Sequence, residues 1–354
     1  MKKIFFSVLA IAAIAACSKS EVQYTEVGEI AFSPIASNTT KSVAGYNGDE
    51  FDGVFPTAIP LYVFANAQDV ENGTTWNSPY FKNALFTHYT SKGEEATQTH
   101  PTLESVSTTG AYAGNPNPYY WPNVKTLKFA GVSKACNINA ESNGAVPVIN
   151  TEDNATMTIT IANYVQDNKL TDEGANDLMW FPIAGPYGKG DGEIPAQMKH
   201  ACSWITVKVK TDGKFTDVKL HDLTITGLCN KGTATCGSTA SWASLTGSVT
   251  EQLYYNADGK DVTTDAEVFE TTSNNMIVIP QTPTKINVTY SYTPQTGLTC
   301  KETFTGLDLK ISDTNNMWES GVHYIYTLTI TATEILIDPV VVKWDEFEAG
   351  AEVK

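Results

Sequence analysis

No arginine occurs anywhere in this 354-residue chain; all 23 basic side chains are lysines, set against 39 acidic ones for a net charge of −16. The planar guanidinium clamps that grip carboxylates and phosphates in bidentate fashion are therefore missing. An acidic chain without clustered cations also excludes a nucleic-acid partner, because phosphate binding needs basic patches. Histidine is scarce as well. The five (His88, His100, His200, His221 and His323) are scattered, with no HExxH pair and no zinc-type spacing to a cysteine. His200 and His323 sit beside strands and read as structural. No GxSxG elbow or Walker-type phosphate loop is present. The acidic turns NGDEFDG (Asn47 to Gly53) and GDGE (Gly190 to Glu193) carry oxygen donors but not the spaced aspartates of a calcium loop, so no metal or other cofactor is expected. With no nucleophile, metal cluster or phosphate cradle, the chain reads as non-enzymatic.

Long apolar runs are missing too, except at the start. MKKIFFSVLAIAAIAACSKS has two lysines and an apolar stretch from Ile4 to Ala16, too short to span a bilayer and shaped like a secretory leader. Ile14-Ala15-Ala16-Cys17 resembles a bacterial lipobox, in which cleavage leaves a lipidated cysteine as the first residue. Residues 1–16 are thus expected to be a leader, with Cys17 the lipidation site and the outer membrane, at the cell surface, the anchor. Several acyl chains on one cysteine hold a protein durably, where a single chain would not. Of the six cysteines, five remain beyond Cys17, an odd number with no CxxC. Cys229 and Cys236 flank NKGTAT, which reads as a turn. A disulfide between them across a hairpin and five free thiols are both compatible with that spacing.

What is plentiful is threonine, asparagine, glycine and tyrosine, in a chain that is 42% apolar and only 18% charged. That balance suits a secreted β-rich protein with uncharged outer faces. Period-two alternation dominates the second half. WITVKVK (Trp204 to Lys210) and FTDVKLHDLTITG (Phe215 to Gly227) read as strands joined by a Thr-Asp-Gly-Lys turn. MIVIP (Met276 to Pro280) reads as a buried strand, and KINVTYSYT puts Ile286, Val288, Tyr290 and Tyr292 on one face. YIYTLTITATEILI does the same with Tyr324, Tyr326, Leu328 and Ile330. LYVFANA, VKTLKFAGV and ATMTITIANY are strand-like in the looser first half, and short helical turns fit DEGANDLMWF. GPYGKGDGEIP (Gly185 to Pro195) is the clearest irregular stretch and suggests a domain boundary near residue 195. The aromatic loop NPNPYYWPN offers rings that could stack on a glycan; aromatics at alternate strand positions are core. The fold class expected is mostly β, built of antiparallel sheets with Greek-key connections.

Taken in order, several segments resemble the fimbrillin family, lipoprotein precursors of type V pili. The lipobox Cys17 is followed by IAFSPI, the Thr-Lys of NTTKSVAG, and LYVFAN. Then come KHACSWITVKVK, LTITGLCNKGTATCGSTASW, NNMIVIPQTP, MWESGVHYIYTLTITATEILI and VVVKWDEF. The resemblance implies two tandem antiparallel β-sandwich domains of transthyretin-like type, over residues 42–195 and 196–354. It also implies that residues 17–41 hold a removable strand around Ile30 to Ile35, released by proteolysis after Lys41. The partners implied are other pilin subunits, whose C-terminal strand (here ILIDPVVVKW, Ile335 to Trp344) fills the vacated groove. Adhesion to a host or bacterial surface glycan or protein follows from the same resemblance. Studied family members are cut after arginine; this chain has none, so either Lys41 is cut or the subunit stays anchored and uncut.

Overall fold

Residues 28–36, 60–87, 104–105, 118–138, 144–150, 157–168, 176–269, 275–294, 297–312, 316–331 and 333–343 are described by the computed structural model. They form twenty strands and, among the described residues, no helix. The strands make four sheets. The largest runs in the order β1 (Phe32–Ala36), β9 (Ile194–His200), β8 (Met179–Tyr187), β5 (Leu127–Ser133), β2 (Leu61–Ala67), β3 (Ser78–Thr87), β4 (Glu104–Ser105). A second joins β13 (Ala240–Thr246), β12 (Lys231–Cys236), β7 (Thr158–Val165) and β6 (Pro147–Asn150). The third runs β15 (Glu267–Val268), β10 (Ser203–Thr211), β19 (Val322–Ile330), β20 (Ile335–Lys343), with β16 (Asn275–Val278) also on β10. The fourth is β14 (Val249–Asp261), β11 (Thr216–Leu228), β17 (Lys285–Thr293), β18 (Cys300–Asp308).

Alternation decides which sheet faces which. Along β2, β5 and β8, Tyr62, Phe64, Ala130, Val132 and Trp180 point to one side, where they pack on Ile159, Ile161, Ala234 and Cys236 of the second sheet. The intervening Leu61, Val63, Ala65, Leu127, Phe129 and Phe181 point to the other side and make a separate core. Strand β2 is consequently buried at every position, which is why LYVFANA is apolar on both faces except at the buried Asn66. The third and fourth sheets enclose one larger core through Val207, Leu220, Ile225, Val288, Tyr326 and Leu328, among others. Tyr324, Tyr326, Leu328 and Ile330 all lie on its inner face, as their spacing requires.

Strand β11 shows how one residue can re-aim a strand. Val218 and Leu220 point inward, and so do Leu223 and Ile225, so the alternation slips by one between them. Both ladders of β11 shift register between Leu220 and Asp222. The slip is a β-bulge. His221 sits at it, its Nε2 2.8 Å from Ser291 Oγ and its Nδ1 3.1 Å from the Ala257 carbonyl.

The tryptophan and tyrosines of MWESGVHYIY are structural. Trp318 is fully buried; its indole N–H donates to Tyr326 OH (2.9 Å), which in turn donates to the Leu309 carbonyl (3.2 Å). Two residues back, Tyr324 OH accepts from the Glu319 amide at 2.9 Å and lies 3.1 Å from the Met317 carbonyl, to which it donates. The spacing of these rings closes the loop before β19 onto that strand.

Three readings of the sequence are corrected. NKGTAT is not a turn but most of strand β12. The MWF of DEGANDLMWF begins strand β8, not a helical turn. The ladders are not all antiparallel, since β1–β9 and β10–β19 are parallel. Residue 195 itself lies within β9, and the hairpin β12–β13, later in the chain, shares a sheet with β6 and β7. A chain beginning at residue 196 therefore leaves that hairpin without its partner β7. We expect such a fragment to elute as aggregate in size-exclusion chromatography while the full chain without its leader elutes as a compact species.

Candidate functional site

Strand β1 is an edge strand that sends one large ring into the core. Phe32 is fully buried, with its centroid 4.8 Å from Phe86 and 5.4 Å from Phe129, both edge-to-face, and 5.8 Å from Phe181. Phe86 belongs to β3, near the opposite end of the sheet order, so the sheet curls enough to bring both ends around this ring. Gly131 in β5 makes the space. A Cβ there would lie 2.3 Å from the Phe181 ring, so only glycine lets Phe181 lie across β5 and reach Phe32. Ile30, 1% exposed, adds to the same core.

The backbone of this segment is held on both sides. The Ile194 amide donates to the Ala31 carbonyl at 2.9 Å, part of the parallel β1–β9 ladder that pairs Phe32 with Ile194. On the other side the Ile30 amide donates to Tyr119 O (2.8 Å) and the Trp121 amide to Gly28 O (3.2 Å). Removing this strand would uncover a slot floored by Phe86, Phe129 and Phe181 and edged by the unpaired amides and carbonyls of β9 and residues 119–121.

Strand β20 lies at the other end of the described chain and is also an edge. It pairs only with β19, antiparallel, from Val322↔Lys343 to Ile330↔Ile335. Ile335 and Ile337 face the large core, yet Leu336, Val340 and Val341 are 44–53% exposed. The strand carries apolar side chains on both faces, with Asp338 among those on the outer one, while only the inner face is covered. Pro339 stands opposite Tyr326 within the ladder, a position tolerated only on an edge.

Of the residues singled out in the sequence, Cys17, Lys41 and Trp344 lie outside the described residues, as do His88 and His100. The bridge between Cys229 and Cys236 is not formed. Both thiols are free, and because β12 runs extended between them they lie about 20 Å apart, far beyond disulfide reach. Burial pushes the Cys236 thiol up to about 12. The aromatic loop is mostly core: Trp121 meets Phe129 edge-to-face and Tyr119 packs on Phe81 at 4.5 Å, leaving Tyr120 and its neighbour Tyr80 as the partly exposed rings. His200 is buried with its Nδ1 2.7 Å from Asp177 Oδ2. No group of three His, Cys, Asp or Glu side chains is placed to hold a metal among the described residues. Phe32 itself was not singled out from the sequence; its period-two spacing from Ile30 in IAFSPI was the available signal.

The profile described as fimbrillin-like matches residues 58–344. The comparison with curated proteins found no match. Among solved structures, a fimbrial protein of Bacteroides vulgatus ATCC 8482 is 15% identical, with 89% of this chain and 99% of that one covered and a TM-score of 0.57. A protein of Bacteroides ovatus ATCC 8483 described as a candidate cell adhesion protein is 13% identical over 90% of this chain and 98% of that one, with a TM-score of 0.48. One of Bacteroides uniformis ATCC 8492 with the same description is 15% identical over 90% and 98%, with a TM-score of 0.46.

Two outcomes follow from this geometry. Truncating Phe32→Ala in the uncut chain should cost about 3–5 kcal/mol, read as a fall in the urea midpoint, because the ring fills a closed aromatic core. The strand that carries β20 should also be acid-sensitive. His323 of β19 stacks on Trp204 at 3.5 Å, with Thr206 Oγ1 2.8 Å from its Nε2. Burial, aided by the Lys208 charge, lowers its pKa from 6.5 to about 3. A depressed histidine contributes stability that is fully present above its unfolded pKa and is lost as pH falls toward its folded one. Between pH 6.5 and pH 4 the native protein should therefore lose on the order of 2 kcal/mol that the His323→Gln variant retains, measured by denaturant titration at each pH.

Proposed function

Because the chain belongs to the fimbrillin-like family, we propose that it is a non-enzymatic structural subunit of a cell-surface pilus, assembled by strand exchange. In this reading Cys17 carries the lipid that holds the precursor at the outer membrane, and cleavage after Lys41 releases β1. The C-terminal strand of another subunit, residues 335–344, then takes its place and so contributes to adhesive fibres. The observation that carries it is the seat of Phe32: an edge strand, tied into an aromatic core by one large ring, whose departure opens a ready slot. An incoming strand restores both the ladder and the burial, which is β-augmentation used for polymerisation. A head-to-tail contact of this type does not close on itself and so makes filaments.

Strand β20 supports the same reading from the other side. Its outward face exposes Leu336 and Val340 to either side of Asp338, a liability for a permanent edge but suited to a strand that is later buried. The fimbrial protein of Bacteroides vulgatus, the relative with the nearest backbone match given above, shares this overall fold. Lysine in place of arginine at the cut site means the processing protease must accept Lys41. The experiment is to cleave the leader-free protein after Lys41 and follow its mass by light scattering. The cut protein should form ladders of oligomers and the uncut protein should stay monomeric. A cut protein that loses β1, remains folded and remains a monomer overturns the proposal.

A further inference from the structure

Strands β1 and β20 carry the same pattern. Ile30-Ala31-Phe32-Ser33-Pro34-Ile35-Ala36 superposes residue for residue on Ile335-Leu336-Ile337-Asp338-Pro339-Val340-Val341, with isoleucine first, a large apolar residue third, proline fifth and a branched aliphatic sixth. The backbones agree in the same alignment. In β1 the Ala31 carbonyl faces β9 and the Ile30 amide faces Tyr119, so by strand alternation Ala31, Ser33 and Ile35 bond β9 while Pro34 points away. In β20 the Thr331 amide donates to the Glu334 carbonyl at 3.0 Å, which fixes the hydrogen-bonded parity of the β19–β20 ladder. Leu336, Asp338 and Val340 therefore bond β19, and Pro339 stands in a non-bonded pair with its nitrogen turned outward. Each strand thus uses the residues before and after its proline for its ladder and spends the proline on the open side.

We propose that β20 of a second copy replaces β1 in one register, with Ile337 in the Phe32 socket and Pro339 at the place of Pro34. This inference rests on the strand-exchange reading and adds to it the alignment. The pairing becomes Ile337 with Ile194, Asp338 with Pro195, Pro339 with Ala196, Val340 with Gln197 and Val341 with Met198, taken from the β1–β9 register. Ile335 then occupies the seat of Ile30, with its amide available to the Tyr119 carbonyl. A slip of one residue is excluded by two costs. It would aim the proline, which has no N–H, at β9, and it would turn Leu336 and Asp338 into the aromatic slot in place of Ile335 and Ile337. A slip of two keeps the parity but puts Asp338's neighbours Leu336 and Val340 out of step with the proline site, so Pro339 would fall at the seat of Phe32 or of Ala36. The incoming strand runs parallel to β9, as β1 does.

The test is a disulfide scan between subunits. Gln197 is exposed on the outer side of β9, and Val340 is 53% exposed on β20, so neither substitution disturbs a core. Leader-free protein carrying Gln197→Cys is cleaved after Lys41 and mixed with a second protein carrying Val340→Cys, and the linked peptides are identified by mass spectrometry. Two further donors carry Asp338→Cys or Val342→Cys, two residues to either side on the same face. The 340–197 link should exceed both others by roughly tenfold, because disulfide formation tolerates little beyond a directly paired position. Oligomers that form but link 338 or 342 to 197 overturn the register while leaving strand exchange standing. Cut subunits that form no oligomer and no link overturn the register together with the reading beneath it.

Discussion

One phenyl ring, seated edge-on between three others, sets the terms on which the first strand belongs to this protein. Strand β1 has a single β-ladder, to β9, and a short contact at Gly28 to Ile30, yet it carries Phe32 into the centre of an aromatic core. Burying such a side chain is worth on the order of 2–3 kcal/mol, comparable to the sum of two or three of the net backbone hydrogen bonds beside it. Strand β20 has the opposite balance. Its ladder to β19 is continuous over nine residue pairs, yet its outer face is open and its inner face only partly covered. The chain thus has one terminal strand that adds a deeply seated ring to a short ladder, and another that rests mainly on a long ladder. Those are the two kinds of complementarity that a groove and its filler have to exchange.

Much of the strand content was legible because burial imposes a period. LYVFANA, KINVTYSYT and YIYTLTI each read as the strand they form, and the inner face of β19 follows its alternation residue by residue. The misreadings share a cause in close packing. Strand β12 looks like a turn because it is built of small residues, and it must be. A Cβ on Gly232 would lie 2.9 Å from Leu245 and 3.3 Å from Trp242 across the hairpin. The stretch from Gly185 to Pro195 looked like a linker because its glycines and charges are those of a connection. It is the end of β8, the 188–193 loop and the start of β9, a hairpin known only once Met179 is found opposite His200. The bulge at His221 was written in the sequence as a slip from Leu220 to Leu223, visible only when both ladders are counted.

The site was legible in a different way. Cys17 and Lys41 were expected from motifs alone and lie outside the described residues, whereas the seat of Phe32 is made by Phe86, Phe129 and Phe181, all far along the chain. No local pattern announces such a meeting. Conversely, the Trp-Tyr signature before β20, which invites a search for binding chemistry, turns out to be occupied by the fold. Trp318, Tyr324 and Tyr326 use their polar atoms to close one loop. Burial raises the pKa of both tyrosines, Tyr324 to about 12, as befits groups kept neutral to hold backbone in place.

The borrowed hairpin has a mechanical meaning. The chain passes between the two halves of the molecule at residues 200–203, again at 228–231 and again at 246–249, each time within a few residues. Tension applied between residue 28 and residue 343 is thus shared by three short covalent crossings, where a single linker would bend as a hinge. The hairpin between the second and third crossings is anchored in the other half by the ladder of β12 to β7. The two halves are jointed like a mortise rather than a chain link, and that joint is written into the order in which the strands were laid down.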